Sequence, residues 1–179
     1  AMMPDIKSIS GDLLGTILQG SLNKSKSTLL TELSSKATFL DLKDINLKDV
    51  KAALSFDKGK VSVKPFTLKH KDISVQIAGS HGFDQNMNYD LKFDVPAKYL
   101  GKDVNNLIAK LTPADAKKLE NIPVNALMNG SFKSPKITTD LQSATKNLAS
   151  QLVKMQKDKL VQQGTGALSN ILGGKKPTD

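Results

Sequence analysis

Between Ala52 and Pro96 apolar and polar residues alternate with a period of two, and turn residues interrupt the alternation, so this stretch predicts four consecutive β-strands. Leu54 and Phe56 define the apolar face of the first, and Asp57-Lys58-Gly59 then offers a tight hairpin turn whose glycine accepts positive φ. The return strand carries Val61 and Val63, but beyond Pro65 the apolar positions are Phe66 and Leu68, so the phase has slipped by one residue. Proline cannot donate a ladder hydrogen bond, and a slip there predicts a β-bulge or an edge position. Lys71-Asp72 turns the chain again into Ile73, Val75 and Ile77. Gly79–Asn88 reads as a connection, and Tyr89, Leu91, Phe93 and Val95 form the longest run. One apolar and one polar face per strand predicts antiparallel pairing.

The flanks are placed by reference to this sheet. Asp12–Leu22 reads as a strand with bends at Gly15 and Gly20, and Asn23–Ser27 as a polar connector. Ser27 or Thr28 caps a short helix carrying Leu29, Leu30, Leu33 and Ala37. Phe39, Leu40, Leu42, Ile45 and Leu47 form an irregular apolar segment leading into the sheet. After Pro96 the period turns helical: Val104, Leu107, Ile108 and Leu111 share a face, and Thr112-Pro113 starts a second short helix. Val124, Ala126, Met128 and Phe132 open another strand, and Ser134-Pro135 turns it into Lys136–Thr139. From Asp140 to about Gln163 the apolar positions Leu141, Ala144, Leu148, Leu152 and Met155 predict an amphipathic helix packed on its own sheet. The resulting expectation is an α+β fold: a strongly twisted, groove-like antiparallel sheet with helices on its apolar face and a C-terminal helix. It divides into a β-rich domain over 1–140, the helix over 141–163, and a Gly-rich, partly disordered tail over 164–179.

Composition narrows the function classes. A chain of 179 residues has room for a substantial core, and with 4% aromatics and no Trp that core is aliphatic. The absence of Cys excludes disulfides, thiolate metal sites and cysteine catalysis. No apolar run reaches the ~20 residues that cross a bilayer. Ala1 reads as a cloning remnant, and the structured look of Asp5-Ile6-Lys7 predicts a piece of a longer protein. A net charge of +9 raises anionic partners, yet all 26 basic residues are Lys. Without the guanidinium fork, specific nucleic-acid reading is not expected; a solvated lysine face with diffuse attraction to anionic headgroups is.

No chemistry converges. His70 lies at a strand end and His81 in a glycine-containing turn, both read as surface residues without a companion carboxylate cluster. Ser80-His81-Gly82 lacks the nucleophile-elbow pattern, and the spacing of Gly11, Gly15 and Gly20 does not match a dinucleotide fingerprint. The chain therefore reads as a non-enzyme with no cofactor and no metal.

Four runs taken in order carry a resemblance: FDKGKVSVKPF from Phe56 to Phe66, IAGSHGFDQNMNY from Ile77 to Tyr89, VPAKYLG from Val95 to Gly101, and MNGSFKSPKI from Met128 to Ile137. Together they resemble the C-terminal region of AsmA-family proteins in the form found in Bacteroidetes, over about Met3 to Leu141. The resemblance implies an envelope protein held in the inner membrane by an upstream anchor, with its body in the periplasm. The family is similar to TamB and to eukaryotic bridge-like lipid transfer proteins, which implies a curved β-groove conducting phospholipids toward the outer membrane. On that reading the residues expected to share the concave face, Phe56, Val61, Val63, Ile73, Val75, Ile77, Tyr89, Leu91 and Phe93, are lipid-facing and their partners are phospholipid acyl chains. The competing expectation is an assembly module that docks another envelope protein and never touches lipid.

Overall fold

Seven strands form one antiparallel sheet in which each lies beside its neighbours in sequence, with an open edge at either end. In order they are β1 (Gly11–Leu22), β2 (Ile45–Asp57), β3 (Lys60–His70), β4 (Ile73–Gly82), β5 (Asn86–Val95), β6 (Ile122–Ser131) and β7 (Pro135–Thr139). Among the described residues four α-helices accompany them: α1 (Thr28–Lys36), α2 (Lys102–Ile108), α3 (Pro113–Ala116) and α4 (Leu141–Leu172). The computed structural model describes residues 5–22, 27–42, 45–117, 119 and 121–172. The expected remnant at Ala1, most of the connector 23–27 and the last part of the tail lie outside the described residues. The α+β architecture expected from the alternation is the one observed.

Local chemistry explains the elements. Lys58 (φ 48°) and Gly59 (φ 78°) both take left-handed backbone in the β2–β3 turn, the conformation whose twist suits a tight hairpin. The Ser27 hydroxyl accepts from the Leu30 N–H at 3.3 Å and so caps α1, and Thr112 accepts from the Asp115 N–H to start α3 behind Pro113. Around Pro65 the β3–β4 register shifts between Val63 and Phe66, which is the expected bulge. Asp140 receives the Asn125 backbone and side-chain N–H groups, each at 2.7 Å, fastening the start of α4 to β6.

Three expectations need correction. β2 begins at Ile45 rather than near Ala52, because β1 offers it a partner from Gly11↔Phe56 to Leu22↔Ile45 and the irregular segment is thereby recruited into the ladder. Gly79–Asn88 is not a connection: β4 runs through to Gly82 and β5 starts at Asn86, leaving a short turn. The glycine that reads as a breaker is there for close packing, since a Cβ on Gly79 (φ 154°) would sit 2.3 Å from the Asn88 carbonyl oxygen and 2.6 Å from the Tyr89 Cα. Finally, α4 does not end near Gln163 as expected but continues through residues 164–172. Gly164 and Gly166 each weaken a helix by ~1 kcal/mol, but extending an existing helix avoids a second nucleation.

The core lies between one sheet face and the helices. Phe93, Leu91, Val95, Val124, Ala126, Met128 and Ile137 supply the sheet side. Leu33 of α1, Phe39, Leu40 and Leu42 of the α1–β2 connector, Val104 of α2, and Leu148 and Leu152 of α4 supply the cover. Phe39 meets Phe93 edge to face at 5.2 Å. α1 crosses to the far side of the sheet and lies against β7, although β1 precedes it in the chain. Gln156 of α4 donates to the Leu107 carbonyl at 3.0 Å, and Lys159 pairs with Asp115, tying α4 to α2 and α3.

Candidate functional site

Directly opposed residues of an antiparallel pair share a face, and the register assembles the candidate surface row by row. Phe56 opposes Val61; Leu54 opposes Val63, which opposes Gly79, which opposes Tyr89. Across the bulge, Phe66 opposes Ile77 and Ile77 opposes Leu91, while Leu68 opposes Val75 and Val75 opposes Phe93. Ile73 follows in the same phase of β4. All nine residues expected on one face are therefore on one face. The sequence reading missed other members of that surface, Leu13 and Ile17 of β1 among them, which oppose Leu54 and Val50. Phe66 and Leu68 were recoverable: one bulge residue restores the even-numbered phase to the same side.

The nine do not share one environment. Ile73, Leu91 and Phe93 belong to the buried core, with Val75, Ile77 and Tyr89 packed against it. Val61 is buried outside that cluster, and Phe56 and Val63 stay half-buried. Toward β1 the face opens further: Leu13 and Ile17 are 52% and 44% exposed. The apolar face thus has a half sealed by helices and a half left partly open. Leu14, on the other side of β1, is 75% exposed. Only Asp12 among the β1 residues carries a charge, so a long strand edge is left without the lysines or prolines that usually guard one.

Between the sealed and open halves lies an apolar cavity of about 130 Å³. Its walls are Leu30 and Leu33 of α1, Leu40 and Leu42 of the connector, and Leu47, Leu68, Val75, Ile77, Leu91 and Phe93 of the sheet, with Lys69 and His70 beside them. The connector is pinned at this rim. His70 Nε2–H donates to the Asp41 carbonyl at 2.8 Å, and Lys71 pairs with the Asp41 carboxylate at 3.1 Å. A second tie joins the β3–β4 turn to the turn after β5, where Lys98 pairs with Asp72 and the Tyr99 hydroxyl donates to Asp72 at 2.6 Å. These hydrogen bonds, from Lys98 first and Tyr99 second, hold the Asp72 carboxyl below the usual carboxylate range.

At the opposite end of the sheet an open depression of about 890 Å³ is lined by Asp5, Lys7, Lys58, Lys60, His81, Phe83 and Asp84, among others. It is the larger hollow, but its charges are mixed and solvated. His81 is not the surface turn residue expected. It sits in β4 opposite Val61 and Met87, stacked on Tyr89 and edge-on to Phe132. The Tyr89 hydroxyl and His81 Nδ1 share a hydrogen bond of 2.7 Å. Burial pushes the imidazole below the usual histidine value and the phenol above the usual tyrosine value, so at neutral pH the pair is uncharged. The sign follows from linkage: a histidine whose folded pKa is depressed binds its proton more readily when unfolded. Its contribution to stability is complete above the unfolded value of about 6.5 and is lost as pH falls below it. Denaturant midpoints should therefore drop between pH 7.5 and 5.5, and His81→Phe should flatten that slope while leaving the lower-pH loss due to Asp72. An unchanged slope in the variant would assign the dependence to other groups.

Among the described residues no cluster of His, Cys, Asp or Glu could hold a metal ion, and no helix is long and apolar enough to cross a membrane. Comparison with protein-family models, with curated proteins and with solved structures found no match to this chain.

Proposed function

We propose that this chain is a non-enzymatic, periplasmic module of an inner-membrane-anchored, AsmA-like protein that handles phospholipid during outer-membrane biogenesis. The observation that carries this reading is the division of one continuous apolar face into a helix-covered half and a partly open half, with a largely apolar cavity at the boundary. Acyl chains gain ~25 cal/mol for each Å² of apolar surface they bury, so a row such as Leu54, Val63, Phe66 and Leu68 suits hydrocarbon rather than a polar substrate. The resemblance of the four motifs to AsmA-family sequences supports the same conclusion. Lysines without arginines offer headgroups a screened attraction that fades over ~8 Å at physiological salt, and no bidentate clamp.

The test is photocrosslinking with acyl-chain probes on different phospholipid headgroups. Adducts are expected on Leu54, Val63 and Phe66 whatever the headgroup, and added salt should weaken vesicle association more than acyl-chain occupancy. An absence of adducts on this row would sink the lipid reading, and a headgroup preference surviving high salt would require a dedicated polar site. A docking module is the second reading, favoured by one observation: the outer edge of β1, with Leu13, Leu14 and Ile17 exposed, is a template for an added strand of apolar-polar alternation. Protection of β1 amides from hydrogen exchange by a partner, with no acyl adducts, would establish it instead.

A further inference from the structure

β2 and β3 are hydrogen-bonded neighbours for only part of their length. The ladder joins Leu54–Asp57 to Lys60–Val63 and stops. Beyond it, β2 stays with β1 down to Ile45, and β3 stays with β4 up to His70. Two local features turn the strands apart. The bulge between Val63 and Phe66 bends β3 at a proline, and Asp49 (φ 53°) kinks β2 where the β1 register skips a pair. The gap between them is a depression of about 330 Å³ lined by Leu47, Lys48, Asp49, Val50, Thr67, Leu68 and Lys69. Leu47, Leu68 and Lys69 are also walls of the apolar cavity.

We propose that this seam is a side entrance through which a single-chain anionic amphiphile feeds its acyl tail into the cavity while its head stays between the parted strands. The proposal rests on the lipid-handling reading above and adds a route and a ligand class. Polarity changes in the order such a molecule demands. Unladdered backbone N–H groups and the ammoniums of Lys48 and Lys69, set against the one carboxylate of Asp49, suit a carboxylate or phosphate. Behind them Leu47 and Leu68 begin a wall of Leu, Val, Ile and Phe. A cavity of about 130 Å³ takes part of one tail, not a two-tailed phospholipid.

The chain has no Cys, so Lys48→Cys with Lys69→Cys gives a clean pair to bridge with a bis-maleimide, and capping the same variant with a monofunctional maleimide controls for the lost charges. Uptake of fluorescent oleate and of lysophosphatidylglycerol, measured by stopped flow, should slow at least tenfold in the bridged protein relative to the capped one, with circular dichroism unchanged. Equal rates would overturn the side entrance while leaving lipid binding intact; no uptake by the unaltered protein would overturn both. A second arm needs no bridge: Lys48→Gln with Lys69→Gln should weaken both ligands about thirtyfold at low salt, at ~1 kcal/mol per lysine. The two arms separate the head chemistries, since loss with oleate alone would restrict the site to carboxylates and loss with the lysolipid alone to phosphates. Unchanged affinity for both would remove the seam as the head site.

Discussion

Replacing Leu91 by alanine should cost about 2–5 kcal/mol, the range for truncating a large aliphatic side chain inside a packed core. Leu91 is 4% exposed, stands between Ile77 and Ala126 in the ladder, and faces the helical cover. The informative comparison is Val63→Ala on the same face. Val63 opposes Leu54 and Gly79 but lies outside the sealed core, so its truncation removes little packing and should cost less than ~1 kcal/mol. Urea denaturation of the two variants measures both. A loss at Leu91 below ~1 kcal/mol would mean that the helices do not seal this half of the sheet.

Gly79→Ala is the second large effect. The added methyl meets backbone on two sides, the Asn88 carbonyl oxygen and the Tyr89 Cα, and the Tyr89 ring at 2.7 Å. Backbone cannot move aside as the end of a lysine can, and the φ of 154° already disfavours an L side chain. The β4–β5 pairing must shift or open, at about 3 kcal/mol or more. The loss should reach the His81–Tyr89 hydrogen bond, so a combined Gly79→Ala, His81→Phe variant should be less destabilised than the two single losses added together. Full additivity would place the strain elsewhere.

The sheet was legible where the alternation was clean. Ile73, Val75 and Ile77, and Tyr89, Leu91, Phe93 and Val95, lie in the strands and on the face that their spacing dictates, and the proline slip marked a real bulge. Two kinds of residue misled. Glycine carries several meanings, and Gly79 and Gly164 read as breaks although one permits close strand packing and the other sits inside a helix. Burial was the harder quantity. Val63 and Leu91 look alike in a pattern of period two, and only the path of the helices over the sheet decides that one is half-open and the other sealed. The separation of β2 from β3 had only half a signal: Pro65 is visible in the chain, but the left-handed Asp49 is not.

The contact of α1 with β7 sets the order of events during synthesis. Every ladder joins consecutive strands and can form as soon as its second strand has emerged, whereas α1 emerges early and its β7 partner follows about a hundred residues later, roughly 5–20 s at ordinary elongation rates. During that interval α1 has no β7 to lie against. The nascent chain therefore passes through a stage at which the helix is complete and its final berth is missing, and a chaperone that shields short amphipathic helices would find its substrate there.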